Sequence, residues 1–225
     1  MYAFAPSLMC MRLEEFRHQI EFLNSVADFF HVDIMDGHYV PNLTLSPFFI
    51  ENVKMIATKP IDAHLMVEKP EQIAPLCLDA GANYISIHPE TVNAKAFRLI
   101  DQVQSKGAKF GIVLNPETDP DLALYYLDSV EKITVMTVDP GFSGQKFIYP
   151  MLRKIEALRN LKEKSGYKFL IEIDGSCNKK TFHDLAHAGA EAFVVGTSGL
   201  FGLDSDIEKA WAKMKEDFYS ALQNI

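Results

Sequence analysis

At 225 residues with a formal net charge of −8, the chain has room for one large domain or two small ones, and it lacks the clustered Lys/Arg that a nucleic-acid partner demands. No linker-like, charge-block or low-complexity stretch interrupts it, so one domain spanning residues 1–225 is expected. The start of the chain shows no basic region followed by an apolar core, and no later run reaches membrane-spanning length, so a soluble cytoplasmic protein with no membrane partner is expected.

Strand-like apolar runs recur at residues 2–5, 29–34, 61–67, 84–88, 109–114, 132–138, 169–174 and 192–195. The first leads into Ser7. Leu13, Phe16, Ile20, Leu23 and Val26 follow at three- and four-residue intervals, the pattern of a helix packing one face on a sheet. The second run carries His31 and Asp33 two residues apart, which places them on one face of a strand. The third holds Asp62 and His64, the fourth Ser86 and His88, and the fifth ends at Asn115. Met136 lies in the sixth run, which Gly141-Phe142-Ser143-Gly144 follows; Glu172 and Asp174 close the seventh before Gly175-Ser176, and Gly196-Thr197-Ser198-Gly199 follows the eighth.

Alternating βα units pair their strands in parallel through right-handed crossovers, and eight of them suit a (β/α)8 TIM barrel, with an open doubly wound sheet as the alternative from periodicity alone. The polar residues favour the barrel. Ser7, His31, Asp33, His64, His88, Asn115, Asp174 and Gly196 all fall at or near C-terminal strand ends, where such barrels assemble their sites. Alternation also turns Asp62, Ser86 and Glu172 inward, forming a buried polar layer that must be hydrogen-bonded, with water as its expected partner.

Two imidazoles and two carboxylates, His31, Asp33, His64 and Asp174, make a cage suited to one divalent ion, with zinc first and iron(II), manganese or cobalt also compatible. Taken singly, each histidine reads as a satisfied core residue; the four together read as a metal site. The glycine motifs at 141–144, 175–176 and 196–199 each read as a tight turn, whereas jointly they form a phosphate cup after strands six to eight. Met35, Met66 and Met136 read equally as core filling or as a dry wall beside a reacting carbon. Gly141 and Gly144 flank Phe142 and Ser143 in a loop expected to close over a substrate. Cys10, Cys77 and Cys177 are odd in number and widely spaced, which indicates neither a disulfide framework nor a cysteine zinc site; Cys177 reads as an inert small residue.

Longer motifs carry a resemblance. Pro6-Ser7-Leu8, His31-Val32-Asp33-Ile34-Met35-Asp36-Gly37-His38-Tyr39-Val40-Pro41-Asn42, His64-Leu65-Met66-Val67, Leu114-Asn115-Pro116, Met136-Thr137-Val138-Asp139-Pro140-Gly141-Phe142-Ser143-Gly144-Gln145 and Ile173-Asp174-Gly175 resemble the ribulose-phosphate 3-epimerase family over almost the whole chain. The resemblance implies a barrel isomerase acting on a small ketose phosphate. It implies a divalent metal on His31, Asp33, His64 and Asp174, with Asp33 and Asp174 as the acid/base pair that inverts C3 through a metal-stabilised enediolate. Ser7, His64, Met35, Met66, Met136, Gly141, Phe142, Ser143, Gly144, Gly175, Ser176, Gly196 and Thr197 form the expected substrate shell. A homo-oligomer, dimer or hexamer, is also implied.

Gly175-Ser176, Gly196-Thr197-Ser198-Gly199-Leu200-Phe201, His88-Pro89-Glu90-Thr91, Asn115-Pro116-Glu117-Thr118 and Leu43-Thr44-Leu45-Ser46-Pro47-Phe48-Phe49 depart from the usual pentulose pattern and look most like members acting on D-allulose 6-phosphate. Conversion of D-allulose 6-phosphate to D-fructose 6-phosphate is therefore the expected reaction, with D-ribulose 5-phosphate to D-xylulose 5-phosphate as the alternative. Similar barrels decarboxylate through Asp-x-Lys-x-x-Asp on the third strand, but His64 and Val67 stand at the lysine and second-aspartate positions here. A non-catalytic sugar-phosphate sensor would not need two opposed carboxylates.

Overall fold

Residues 2–223 are described by a computed structural model. The alternating runs form eight strands: β1 (Ala3–Pro6), β2 (Phe30–Met35), β3 (Ile61–Met66), β4 (Tyr84–Ile87), β5 (Lys109–Leu114), β6 (Lys132–Met136), β7 (Leu170–Asp174) and β8 (Ala192–Val195). Consecutive strands pair in parallel from β2 round to β8, and β8 pairs back onto β1. A parallel bridge between Ser7 and His31 draws β1 to β2 at the remaining seam. The sequential strand order and this return pairing are those of the expected barrel and rule out a doubly wound sheet.

Among the described residues, seven α-helices surround the strands: α1 (Phe16–Val26), α2 (Pro47–Lys54), α3 (Pro70–Asp79), α4 (Ala96–Ser105), α5 (Met151–Ser165), α6 (Phe182–Ala188) and α7 (Ile207–Leu222). Pro47 and Pro70 open their helices at first-turn positions whose N–H groups have no intrahelical acceptor. Asp206 starts α7 by accepting from the N–H groups of Glu208 and Lys209. Two local readings change. Leu13 precedes α1 and is exposed, because the chain first makes a short 3-10 turn there. The β5–β6 crossover, Pro120–Ser129, is also a 3-10 segment; it buries Ala123 and Tyr126, a three-residue spacing that suits three residues per turn. Among the described residues no helix is long and apolar enough to cross a membrane.

Strand alternation separates two cores. Outward residues such as Phe4, Val32, Ile34, Leu65, Ile112, Ile173 and Phe193 join the helix faces in one contiguous apolar layer, where each fully buried large side chain contributes about 1.5–3 kcal/mol. Inward residues are stratified along the barrel axis. Ala3, Ala5, Ala192 and Val194 run up the β1–β8 wall, Val194 reaching the register of Asp174 and the cavity lining, and they pack with Phe29 and Leu170, which plug the base. The expected polar layer lies above this plug, with Asp62, Ser86, Lys132, Thr134 and Glu172 all buried.

Water is the expected partner of this layer; the side chain found in it is a cation, Lys132. Lys132 Nζ reaches both Asp62 Oδ2 and Glu172 Oε1, the latter at 2.6 Å, while Ser86 donates to Asp62 and Thr134 to Glu172, each at 2.7 Å. Phe29 lies beneath the ammonium, 5.3 Å from ring centre to Nζ. Gly111 keeps this layer open, since a Cβ there would press on Ser86 Oγ.

Candidate active site

The β2 pleat puts His31 and Asp33 on the inward face, and parallel register sets His64 of β3 directly beside Asp33. Asp174 arrives at the end of β7. His31 Nε2 lies 3.3 Å from Asp33 Oδ1, 3.3 Å from His64 Nδ1 and 3.5 Å from Asp174 Oδ2; His64 Nδ1 lies 3.2 Å from Asp33 Oδ1 and 3.5 Å from Asp174 Oδ2. Ligand bonds of ~2.0–2.1 Å in a tetrahedral shell require edges of about 3.3–3.4 Å, so this donor set has the chemistry and the spacing to hold a divalent ion.

The electrostatics agree. Burial works against the Asp33 carboxylate ion, yet His31 and His64 override it and hold its pKa well below the usual range. Asp174 is lowered in the same way, burial being outweighed by the same two histidines. Burial opposes a charge on His31 as well, and the surrounding Asp33, Asp174 and Asp62 draw its pKa well upward. The cluster therefore demands positive charge at its centre. A divalent cation meets that demand with both imidazoles neutral.

Partners outside the cluster orient it. Ser7 Oγ donates to Asp33 Oδ2 at 2.7 Å. His31 Nδ1 faces Asp62 Oδ2 at 2.9 Å, tying the cluster to the polar layer. His64 Nε2 faces His88 Nε2 at 3.0 Å. Asp174 is the most open of the four, with its side chain 16% exposed against 4% for Asp33 and 0% for the histidines.

Above the cluster is a cavity lined by Ser7, Asp33, Met35, Met66, Met136, Asp174 and the three glycine-bearing loops. It gathers the expected substrate shell except His64, which lies beneath the floor. The loops are cross-linked: Ser143 and Thr197 hydroxyls are 2.9 Å apart, and Ser176 Oγ donates to Gln145 O at 2.8 Å. Ser176 takes φ +51°, a left-handed conformation that costs a non-glycine residue roughly 1–2 kcal/mol. Only glycine fits at 199, where a Cβ would collide with the Cys177 carbonyl. Asn42 Nδ2 donates to Gly141 O at 2.7 Å, linking the β2 and β6 loops. Phe142 stays half exposed.

A family profile for ribulose-phosphate 3 epimerases matches residues 3–201. The chain belongs to the ribulose-phosphate 3-epimerase family. The ribulose-phosphate 3-epimerase of Bacillus subtilis is 37% identical over 213 residues, covering 94% of this chain and 97% of that protein. The one from Aquifex aeolicus is 41% identical over 199 residues, covering 87% of each. Membership in this family makes the protein an isomerase, an epimerase acting on a sugar phosphate. Among solved structures, KGPDC from Streptococcus mutans superposes with TM-score 0.68 at 14% identity, covering 98% of both chains. The 3-hexulose-6-phosphate synthase of Salmonella typhimurium gives 0.67 at 16%, covering 97% of this chain and 99% of that one. These two likenesses speak to the fold alone.

Sequence reasoning about the epimerase missed Lys132 and gave no role to Tyr39 or Glu90. Tyr39 OH donates to Glu90 Oε1 at 2.7 Å, Asn115 Nδ2 donates to the same oxygen at 2.9 Å, and Thr118 Oγ1 does so at 3.3 Å. The usable signal was His88-Pro89-Glu90: a strand-end histidine followed two residues later by a carboxylate.

Proposed function

We propose that the protein interconverts D-ribulose 5-phosphate and D-xylulose 5-phosphate, with Asp33 and Asp174 handling the proton at C3. The observation that carries this reading is the convergence of two carboxylates from β2 and β7 on one centre in a chain of this family. The C3 hydrogen is acidic because it is α to the C2 carbonyl, and inversion needs a proton removed from one face of the planar intermediate and another delivered to the opposite face. One aspartate takes the proton as the C3–H electron pair moves into the carbon framework; the other, protonated, returns one from across the plane. A divalent ion held by His31, Asp33, His64 and Asp174, zinc by its ligand set, supplies Lewis-acid stabilisation of the charge that develops on the sugar oxygens.

The remaining roles follow from position. Ser7 orients the Asp33 carboxylate, and Met35, Met66 and Met136 line the cavity with sulfur and methylene groups that exclude water around the reacting carbon. Backbone N–H groups and hydroxyls of the loops at Gly141–Gly144, Gly175-Ser176 and Gly196-Thr197 hold the phosphate. The named relatives support the pentulose substrate better than D-allulose 6-phosphate, the reading that draws on Ser176 and its neighbouring loops.

Kinetics on both sugar phosphates with metal-analysed protein test the proposal. The expected result is a higher kcat/KM for ribulose 5-phosphate and loss of turnover on chelation. Preference for allulose 6-phosphate reverses the substrate assignment, and binding without turnover of either sugar leaves a sensor.

A further inference from the structure

We propose that His88 is a positioning residue for His64, fixing the imidazole tautomer that turns the Nδ1 lone pair toward Asp33, His31 and Asp174. The inference rests on the reading of His64 as a metal ligand. His64 Nδ1 is the ring atom within 3.2–3.5 Å of those three groups. A neutral imidazole that ligates through Nδ1 carries its proton on Nε2. That Nε2 faces His88 Nε2 at 3.0 Å in a fully buried setting, so His88 Nε2 must accept, and the His88 proton must sit on Nδ1.

The surroundings of His88 hold its ring in place, although its Nδ1 finds no acceptor within hydrogen-bond distance among the described residues. The Tyr39 ring lies against it at 4.7 Å between centroids, tilted by 40°, and the His64 ring is 5.1 Å away. Glu90 Oε1 is 3.8 Å from His88 Nδ1, so the protonated side of the ring looks toward a carboxylate. Tyr39, Asn115 and Thr118 donate to that same Glu90 oxygen, so it is held in place independently of His88. The anchoring groups come from the loops after β2, β4 and β5.

The two candidate histidine ligands are thereby made unequal. His31 leans on the Asp62 carboxylate, which makes its imidazole the stronger electron donor. His64 leans on a neutral ring, which orients it without that increase in basicity. An aromatic residue chosen only for packing would fill the same space without offering a lone pair to His64, and this difference makes the inference testable.

The experiment compares wild type with His88→Phe, which keeps a ring but no acceptor, and His88→Gln, which keeps an oxygen near the Nε2 position. Zinc affinity is read by competition with a chromophoric chelator, and geometry from the visible spectrum of the cobalt(II)-loaded protein. His88→Phe is expected to weaken zinc binding roughly 10- to 100-fold and to change the cobalt spectrum, whereas His88→Gln recovers most of both. In the zinc-loaded wild type, 15N spectra of labelled histidine should show His64 protonated on Nε2 and His88 on Nδ1, a readout that needs no variant to fold. Unchanged affinity and spectrum in His88→Phe, equal losses in both variants, or a proton on His64 Nδ1 would each overturn the role of His88. A wild-type protein that binds no zinc, or a His64→Ala protein that binds it undiminished, overturns the metal-site reading and this inference with it.

Discussion

Ser7 Oγ donates a hydrogen bond to Asp33 Oδ2 across 2.7 Å, while Asp33 Oδ1 faces the two imidazoles. The two oxygens of one carboxylate are thus assigned different neighbours. Removing the donor in Ser7→Ala takes away a bond that favours the ionised form, so the Asp33 pKa rises. The acidic limb of the kcat/KM profile should move to higher pH. Loss of one hydrogen bond to a charged group, about 1.5–3 kcal/mol, corresponds to at least a roughly tenfold fall in kcat/KM. An unmoved acidic limb would show that Asp33 is not the group titrating there.

Asp174→Asn separates proton abstraction from inversion. Epimerisation should fall by roughly 10²- to 10⁴-fold, the range for loss of one general acid/base. Asp33 is expected still to exchange the C3 hydrogen of one epimer with deuterated water, read by NMR on protein whose metal content has been measured. Wild-type turnover in deuterated water should place deuterium at C3 of the product from either epimer. Complete retention of the C3 hydrogen would sink the two-aspartate mechanism.

Lys132→Met probes the buried ion layer. It leaves the Asp62 and Glu172 carboxylates without their shared cation, a change worth about 3–5 kcal/mol in unfolding free energy at neutral pH. The pH dependence gives a second reading. Burial raises the Asp62 pKa, but Lys132 and His31 more than reverse this and hold it below the usual carboxylate range. A depressed folded-state pKa contributes stability above the unfolded value of about 4, and that contribution is lost as pH falls toward the folded value. Wild type should therefore lose stability below about pH 4, and Lys132→Met should lose less over the same interval. Urea unfolding at pH 7 and pH 3 checks both statements; identical acid-side losses would contradict them.

Why Lys132 escaped the sequence while His31 and Asp33 did not is a matter of what periodicity encodes. His31 and Asp33 sit mid-run, where the two-residue repeat gives them a common face and the strand end gives them a barrel mouth. Lys109 and Lys132 each begin a strand and look alike in sequence, yet Lys109 is exposed and Lys132 fully buried. The difference lies in partners from β3 and β7, which no local window contains. A long-range signal did exist: inward Asp62 and Glu172 in one layer call for a cation. Tyr39 and Glu90 were hidden for a related reason, since their hydrogen bonds join separate loops. The 3-10 form of the β5–β6 crossover does not show in the sequence, because Ala123, Tyr126 and Leu127 satisfy a helical spacing as well as a 3-10 one.

Thiol chemistry offers a test that does not depend on turnover. Burial pushes the Cys77 thiol up to about 12, and burial together with Asp174 and Glu172 raises that of Cys177. Cys10 is partly exposed, lines the cavity and lies 3.6 Å from Ser143 Oγ. Native protein at pH 8 should release one equivalent of chromophore from a disulfide reagent, and saturating sugar phosphate should slow that release. Two or more rapid equivalents would contradict the burial of Cys77 and Cys177.

The loop joining β6 to α5 should become harder to cleave when the cavity is filled, because Gly141, Phe142, Ser143, Gly144 and Gln145 line that cavity and a ligand there would add contacts to them. Limited proteolysis with and without saturating sugar phosphate measures this. Equal cleavage rates would count against closure.

The layered interior makes the barrel a dead end. Beneath the candidate ligands lie a neutralised ion layer and then the plug around Phe29, so bulk water reaches the sugar from the mouth side. On the proposed two-aspartate mechanism, one inversion would leave their protonation states exchanged, with a proton on the acceptor and none on the donor. The enzyme that releases product would then be primed for the reverse reaction and would have to swap protons with solvent through the open mouth before repeating the forward one. Under high flux that recovery step becomes a kinetic event of its own, and labelled product should drive counter-transport of isotope against the chemical gradient.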